Sequence, residues 1–269
     1  MDRTQHVQEV TRLQRPGHAV REALEHPVNG SNGEHRRDHD RPASVRIDRS
    51  LLKDRPIVLP DETGPAAHAY RMLRTQLLQR LRQHRSRAIG IVSAADREGK
   101  TLTAVNLALS LAVEPNQTVL LVDLDQHRPS VASTLKLRVE QGLESWFAGR
   151  INNLEQVTYP VDGFERLFIL PALAGVPGSS EALASMRAQN MLGELKASEP
   201  ERLILLDLPP LLLTDDFLTI AAHLDGVVIV AREGRTKRED LTRISEILGS
   251  VRVLGTVLNH STQFERRAY

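Results

Sequence analysis

Residues 89–108 read IGIVSAADREGKTLTAVNLA. An apolar run leads into a short polar turn, then Glu98-Gly99-Lys100-Thr101, then a run with helical apolar spacing. That is the layout of a strand, a phosphate-cradling loop and a helix. Backbone N–H groups at a helix start are unpaired and sit at the positive end of the helix dipole, so they bind anions. A lysine beside the glycine can reach outer phosphates, and a hydroxyl after it can ligate Mg²⁺. Nucleotide binding is therefore expected. The match to G-x-x-x-x-G-K-[ST] is incomplete, because Ala94 replaces the first glycine. A Gly-Lys-Thr tripeptide alone occurs often by chance; its place between a strand and a helix gives it weight.

On either side of this stretch the chain alternates strand and helix. Nearly continuous apolar runs, typical of buried parallel strands, fall at 88–93, 118–123, 167–170, 202–207, 226–231 and 255–258. Helical spacing predicts helices at 101–113, 130–135, 143–147, 180–196, 215–222 and 238–248. A further helix is expected over 66–83, with Met72, Leu73, Leu77, Leu78 and Leu81 on its apolar side. This alternation implies an α/β domain of the P-loop NTPase type, a mostly parallel sheet with helices on both faces. Residues 1–56 lack periodicity and are rich in Arg, Asp, His, Pro and Gly, as in HPVNGSNGEHRRDHDRPAS. They read as a disordered leader, and the irregular spacing of His26, His35 and His39 fits a solvated tail better than a metal site. The domain is expected over 57–262, followed by a tail at 263–269.

Composition narrows the function classes. The formal net charge of +1 gives no reason to expect a nucleic-acid partner. Cysteine is absent, which removes disulfide and thiolate-metal frameworks and fits a reducing cytoplasm. No apolar run reaches the roughly 18–20 residues of a membrane helix, so membrane contact is expected only peripherally or through a partner. Lysine is scarce against arginine, which sets Lys100 apart.

Two acidic motifs sharpen the expectation. In VLLVDLDQHRPS (119–130) an apolar run ends in Asp123, followed by Asp125. Side chains two apart on extended chain point the same way, so the two acids can share a cleft. In LILLDLPPLL (203–212) a buried run ends in Asp207 before Pro209-Pro210. An acid at the end of a buried strand is costly without a partner, and hydrated Mg²⁺ beside phosphates is a natural one. Ligands of open α/β sheets bind outside the carboxyl ends of strands, where Lys100, Thr101, Asp123, Asp125 and Asp207 would meet.

With these motifs in place the sequence resembles the bacterial tyrosine kinases (BY-kinases) of exopolysaccharide and capsule export. The nearest likeness is to the tyrosine autokinases of exosortase-associated exopolysaccharide loci (CpsD/CapB-like). The likeness covers roughly residues 65–261. It runs through AYRMLRTQL, SAADREGKTLTAVNLA as Walker A, VLLVDLDQHRPS as Walker A′ and LILLDLPPLLLTDD as Walker B. GLESWFAG, ILPALAGVPGSSEALAS, DGVVIVAREGRT and GTVLN extend it. The resemblance implies that the loop Asp96, Arg97, Glu98, Gly99, Lys100, Thr101 and Leu102 holds ATP. It implies Mg²⁺ at Thr101, Asp125 and Asp207 and catalysis by Asp123 and Lys100; Tyr269 is a candidate phosphoacceptor by position alone, against a featureless chain end. It also implies a membrane chain-length-determinant (polysaccharide co-polymerase) partner, assembly with further copies of the chain, and a cytoplasmic place peripheral to the inner membrane through that partner. Two rivals share the loop: a catalytically weak nucleotide-binding regulator of the same partner, and a MinD/ParA-like ATPase. The latter group normally carries a second lysine where this chain has Ala95.

Three departures from the family pattern carry expectations. Pro-Gly-Glu-Gly-Lys is usual where this chain has Asp96-Arg97-Glu98-Gly99-Lys100. If position 97 needs positive φ, arginine there costs roughly 1 kcal/mol or more, and Asp96 adds negative charge near the phosphates that Arg97 could offset. A Glu-x-x-Arg-x-x-Arg subunit-contact motif is usual where this chain has His68, Arg71 and Arg74, so the arginines read equally as a solvated face or an interface. The tail, STQFERRAY, carries one tyrosine in place of a cluster; Tyr70 is expected on a helix and Tyr159 in a loop.

Overall fold

The structure is a computed structural model that describes residues 41–261 apart from 53, 85, 177 and 200. The leader to residue 40, with His26, His35 and His39, and the tail with Tyr269 lie outside the described residues.

The chain folds as α1 (Pro65–His84), β1 (Ala88–Ser93), α2 (Lys100–Leu111), β2 (Val119–Asp123), α3 (Val131–Leu135), α4 (Leu143–Phe147), β3 (Tyr159–Val161) and β4 (Phe164–Leu170). It continues through α5 (Ser179–Ala184), α6 (Met186–Ser198), β5 (Leu203–Asp207), α7 (Asp216–Ile220), β6 (Gly226–Arg232), α8 (Arg238–Leu248) and β7 (Val253–Asn259). The strands form one seven-stranded sheet in the order β3-β4-β2-β5-β1-β6-β7. Every pairing is parallel except β3 with β4. The expected P-loop α/β architecture is present.

Period-two side chains explain why the central strands are apolar throughout. Ile89 and Ile91 of β1, with Val119 and Leu121 of β2, pack with α1 and α2 on one face. Ala88, Val92, Leu120 and Val122 face the other side, with α4, α6, α7 and α8. A strand covered on both faces has no polar face to alternate with.

Several boundaries differ from the sequence expectation. The core takes in part of the expected leader: Val45, Ile47 and Leu52 are buried with Ile57 and Leu59. Val45 N–H donates to Pro160 O and Val45 O accepts from Asp162 N–H, both at 2.8 Å. Asn106 on α2 fixes the next stretch, accepting Val58 N–H at 2.9 Å and donating to Pro56 O at 3.0 Å. These residues use long-range bonds rather than local periodicity, so no pattern announced them. Tyr159 lies in β3, not a loop; its strand is a short edge piece interrupted by Pro160, which a sheet tolerates only at an edge. The single helix expected at 180–196 is two, because Ser185 is extended (ψ 150°) and its side chain caps α6 at Ala188 N–H. Met72, placed on the apolar side of α1, is 48% exposed, while Leu77 and Leu81 are buried.

Candidate nucleotide site

The loop between β1 and α2 has a fixed shape. Gly99 takes φ 92° at the start of α2, and a Cβ there would lie 1.7 Å from Asn259 Nδ2. Glycine is required at 99 both for the left-handed backbone and for this close approach. Arg97 is also left-handed, at φ 62°, so the position does need positive φ. Glu98 is buried and staples the loop from within: its Oε2 accepts Ala95 N–H at 2.9 Å and its Oε1 accepts the Thr236 hydroxyl. Thr236 Oγ1 in turn accepts Arg232 N–H at 2.8 Å. The Arg232 guanidinium donates to Arg97 O at 2.9 Å and Asn259 Nδ2 to Glu98 O at 3.0 Å. Thr236, Arg232 and Asn259 were quoted within motifs but given no role in the sequence reading. Arg232 and Asn259 each carried one signal, a polar residue closing an apolar strand at the same sheet end as the acids; Thr236, in the turn after β6, carried none.

Two expected outcomes arise here. Arg97→Gly relieves a left-handed strain of about 1–2 kcal/mol but loosens the unfolded chain, so the net gain in stability is at most about 1 kcal/mol. The loop already has its shape, so ATP affinity should stay within about threefold of the parent's; denaturant melts and ATP titration check both. Thr236→Val removes the hydroxyl that holds Glu98 and leaves a buried carboxylate oxygen short of a donor. A loss of about 1–3 kcal/mol in stability is expected, with weaker ATP binding; an unchanged denaturation midpoint would contradict the staple.

The acids converge as expected. Asp123 and Asp207 end β2 and β5 as register partners, so they sit side by side at the carboxyl end of the sheet. Lys100 Nζ lies 3.1 Å from Asp207 Oδ1 and 3.2 Å from Asp125 Oδ2. Thr101 Oγ1 donates to Asp207 Oδ2 at 2.6 Å and lies 3.0 Å from Ser130 Oγ. Asp123 Oδ2 accepts Ser130 N–H at 2.8 Å and Val131 N–H at 2.9 Å, at the start of α3. Asp123 Oδ1 is buried and has no hydrogen-bond partner among the described residues. Leu102, expected among the nucleotide-binding residues, packs its side chain against the core.

The electrostatics follow from three carboxylates facing one ammonium. Burial pushes Asp123 up to about 8, helped by the adjacent Asp207 and only partly opposed by its two N–H donors and Lys100. Burial also raises Asp207, against the pull of Lys100 and Thr101. Burial alone would lower Lys100, but Asp207 and Asp125 outweigh it and its ammonium is held above the ordinary range. A site with excess buried negative charge and an orphaned carboxylate oxygen suits a cation. Among the described residues no group of three or more His, Cys, Asp or Glu has metal-holding geometry. This is compatible with Mg²⁺, which keeps waters and uses one or two carboxylates together with substrate phosphates. The groups expected to hold it are engaged within the chain: Asp207 by Lys100 and Thr101, and Asp125 by Lys100 and Arg128 N–H.

One contact joins the β1–α2 loop to the β2–α3 loop. The Arg128 guanidinium pairs with the Asp96 carboxylate, side chains 70% and 31% exposed. Arg128 N–H also donates to Asp125 Oδ1 at 3.0 Å. Arg97 is exposed, and its side chain makes no ion pair or hydrogen bond among the described residues. The charge of Asp96 is therefore met from the β2–α3 loop rather than by its sequence neighbour.

A glycine-lysine-threonine loop after the first strand of a parallel sheet, facing two acid-ended strands, defines a P-loop NTPase fold. No family model matches the chain. The tyrosine-protein kinase YwqD of Bacillus subtilis is 26% identical over 212 residues, covering 78% of this chain and 87% of that one. The succinoglycan biosynthesis transport protein ExoP of Rhizobium meliloti is 29% identical over 79% of this chain but only 27% of its own length. Among solved structures the VpsO kinase domain has TM-score 0.64 and 26% identity, covering 73% of this chain and 96% of that domain. The chromosome-partitioning ATPase Soj of Thermus thermophilus is 38% identical, over 53% of each chain. The chain is thus similar to bacterial tyrosine kinases over most of its length, with a shorter likeness to the partitioning ATPases.

Proposed function

We propose that the chain is an ATP-dependent protein-tyrosine (auto)kinase that regulates exopolysaccharide biosynthesis or export. The observation that carries this reading is Asp123 Oδ1, a buried acceptor left free beside Lys100, Asp125 and Asp207. A site that only holds phosphates does not need such an atom; transfer to a tyrosine hydroxyl, or to water in an ATPase, does. Lys100 and the loop amides hold the phosphates of ATP. Mg²⁺, held by Thr101 with Asp125 and Asp207, neutralises phosphate charge when bound. Asp123 Oδ1 accepts the proton of the incoming tyrosine hydroxyl, whose ordinary pKa is about 10. Mg²⁺ bound beside it would favour the ionised form of Asp123, the form that can take that proton.

Tyr269 is the proposed acceptor, since the other two tyrosines are turned inward. The Tyr159 hydroxyl donates to Gln141 O at 2.9 Å, and burial raises Tyr70, whose hydroxyl faces Asn106 and Thr103. The kinase domain of the proposal runs to residue 262 and starts earlier than 57, because Val45 and Ile47 belong to the core. No helix among the described residues is long and apolar enough to cross a membrane. A membrane chain-length-determinant protein is the proposed docking partner and would bring the chain to the inner membrane. Assembly with further copies would not draw freely on Arg74, whose guanidinium is engaged by Glu114 at 2.9 Å and Ser110 O at 3.0 Å in its own chain.

A second reading, a nucleotide-binding regulator without tyrosine transfer, draws on Asp96 and Arg97 in the loop. The likeness to Soj supports a third, an ATPase. Incubation with labelled ATP and Mg²⁺, with and without the partner's cytoplasmic segment, separates them. Label on tyrosine is expected; free phosphate alone would indicate the ATPase, and binding without either would indicate the regulator. Mass spectrometry then locates the phosphate, and a site other than Tyr269 would sink that assignment.

A further inference from the structure

We infer that Asp96 and Arg128 form a charge pair that sets how tightly the loop takes nucleotide phosphates. This rests on the nucleotide-binding reading above and deepens it.

The loop carries two acids with opposite fates. Glu98 points inward, buried and consumed by Ala95 N–H and Thr236. Asp96 is part-exposed, its side chain at 31%, and its carboxylate is met by Arg128 across from the β2–α3 loop. A carboxylate on a phosphate-binding loop repels the phosphates unless a cation cancels it. Arg97, the adjacent cation, is exposed with its side chain unengaged, so it does not cancel it. Arg128 does, and its backbone is anchored to the same site because its N–H donates to Asp125 Oδ1 at 3.0 Å. Side-chain substitution at 128 leaves that backbone bond in place. Asp96 is therefore the repelling charge, and Arg128 is a positioning residue that masks it.

The test is a double-mutant cycle read by ATP titration, with denaturation midpoints recorded in parallel. Arg128→Gln unmasks Asp96, and the Kd for ATP should rise about 3- to 10-fold, the size of one unit-charge interaction near a surface. Asp96→Asn removes the repulsion, and binding should match or exceed the parent's. Asp96→Asn with Arg128→Gln should return to within about twofold of the parent. Raising NaCl to about 0.5 M should shrink the Arg128→Gln effect, because exposed charges are screened over a few ångströms there. A rise for Arg128→Gln that the Asp96→Asn change does not rescue would overturn the inference, since Arg128 would then act on the phosphates directly. Single-variant effects all within twofold would also overturn it, leaving a surface ion pair with no bearing on binding. In that case parent binding lost in Lys100→Met would show the nucleotide reading intact. A parent that binds no ATP would instead remove that reading and this inference with it.

Discussion

Lys100→Met is expected to lower ATP affinity on the order of 100-fold, the upper end for a charge-assisted contact. Nζ stands where the ends of β2 and β5 and the start of α2 meet, within 3.2 Å of two carboxylates. It is the cation among these acids, and ATP adds further negative charge to the same place. Methionine keeps the stem and removes the ammonium, so the loop's backbone shape should survive. The protein itself also changes. Asp207 is fully buried, and losing the cation beside a buried carboxylate costs up to about 3–5 kcal/mol unless that carboxylate takes up a proton. The variant should therefore melt earlier at neutral pH and recover part of the loss at lower pH, where Asp207 protonates. Calorimetric titration with ATP, on samples shown folded by circular dichroism, gives the binding result. Undiminished binding in a folded variant would count against the loop as the phosphate site.

Much of this site was legible in the sequence because three elements announce themselves locally. β1, β2 and β5 are apolar runs that stop at a charged or polar residue, and parallel topology then places all three ends together. Lys100, Asp123, Asp125 and Asp207 meet for that reason alone. What could not be read was every contact set by folding at long range. Thr236 holds Glu98 from 138 positions away, and Asn259 reaches Glu98 O from 161. Neither position has a periodicity to betray it. The positive φ of Arg97 was readable only as a condition on the loop, and the structure supplies it. Asp96 was legible as an extra charge that Arg97 could offset; the side chain that meets it is Arg128. The 41–56 segment escaped for a related reason: Val45 completes its bonding with Pro160 and Asp162, which adjoin it only in the fold.

Asp123→Asn should separate binding from transfer. The amide oxygen can still accept Ser130 and Val131 N–H, as Asp123 Oδ2 does at 2.8 and 2.9 Å. The amide nitrogen then replaces Oδ1, the free acceptor, and cannot take a proton. Tyrosine phosphorylation should fall by about 10²- to 10⁴-fold, the usual contribution of a positioned base, with the Kd for ATP changed only a few-fold. A phosphorylation rate near the parent's would remove Asp123 as the base. The same variant has a signature in stability that a merely structural role for its charge would not mimic. In nucleotide-free protein with chelator present, burial and then Asp207 raise Asp123 from 3.8 to about 8. Between those values the unfolded chain has released the proton that the folded protein keeps, so the folded state binds more protons and its stability falls as pH rises. The parent should lose on the order of a few kcal/mol across pH 4 to 8 at this group. Asparagine has no proton to release there, so the variant's denaturation midpoint should fall less steeply over the same range, with the remaining slope carried by Asp207, which burial also raises. Equal slopes in parent and variant would mean that Asp123 is ionised in the free protein throughout, and that the site tolerates its three carboxylates without a bound cation.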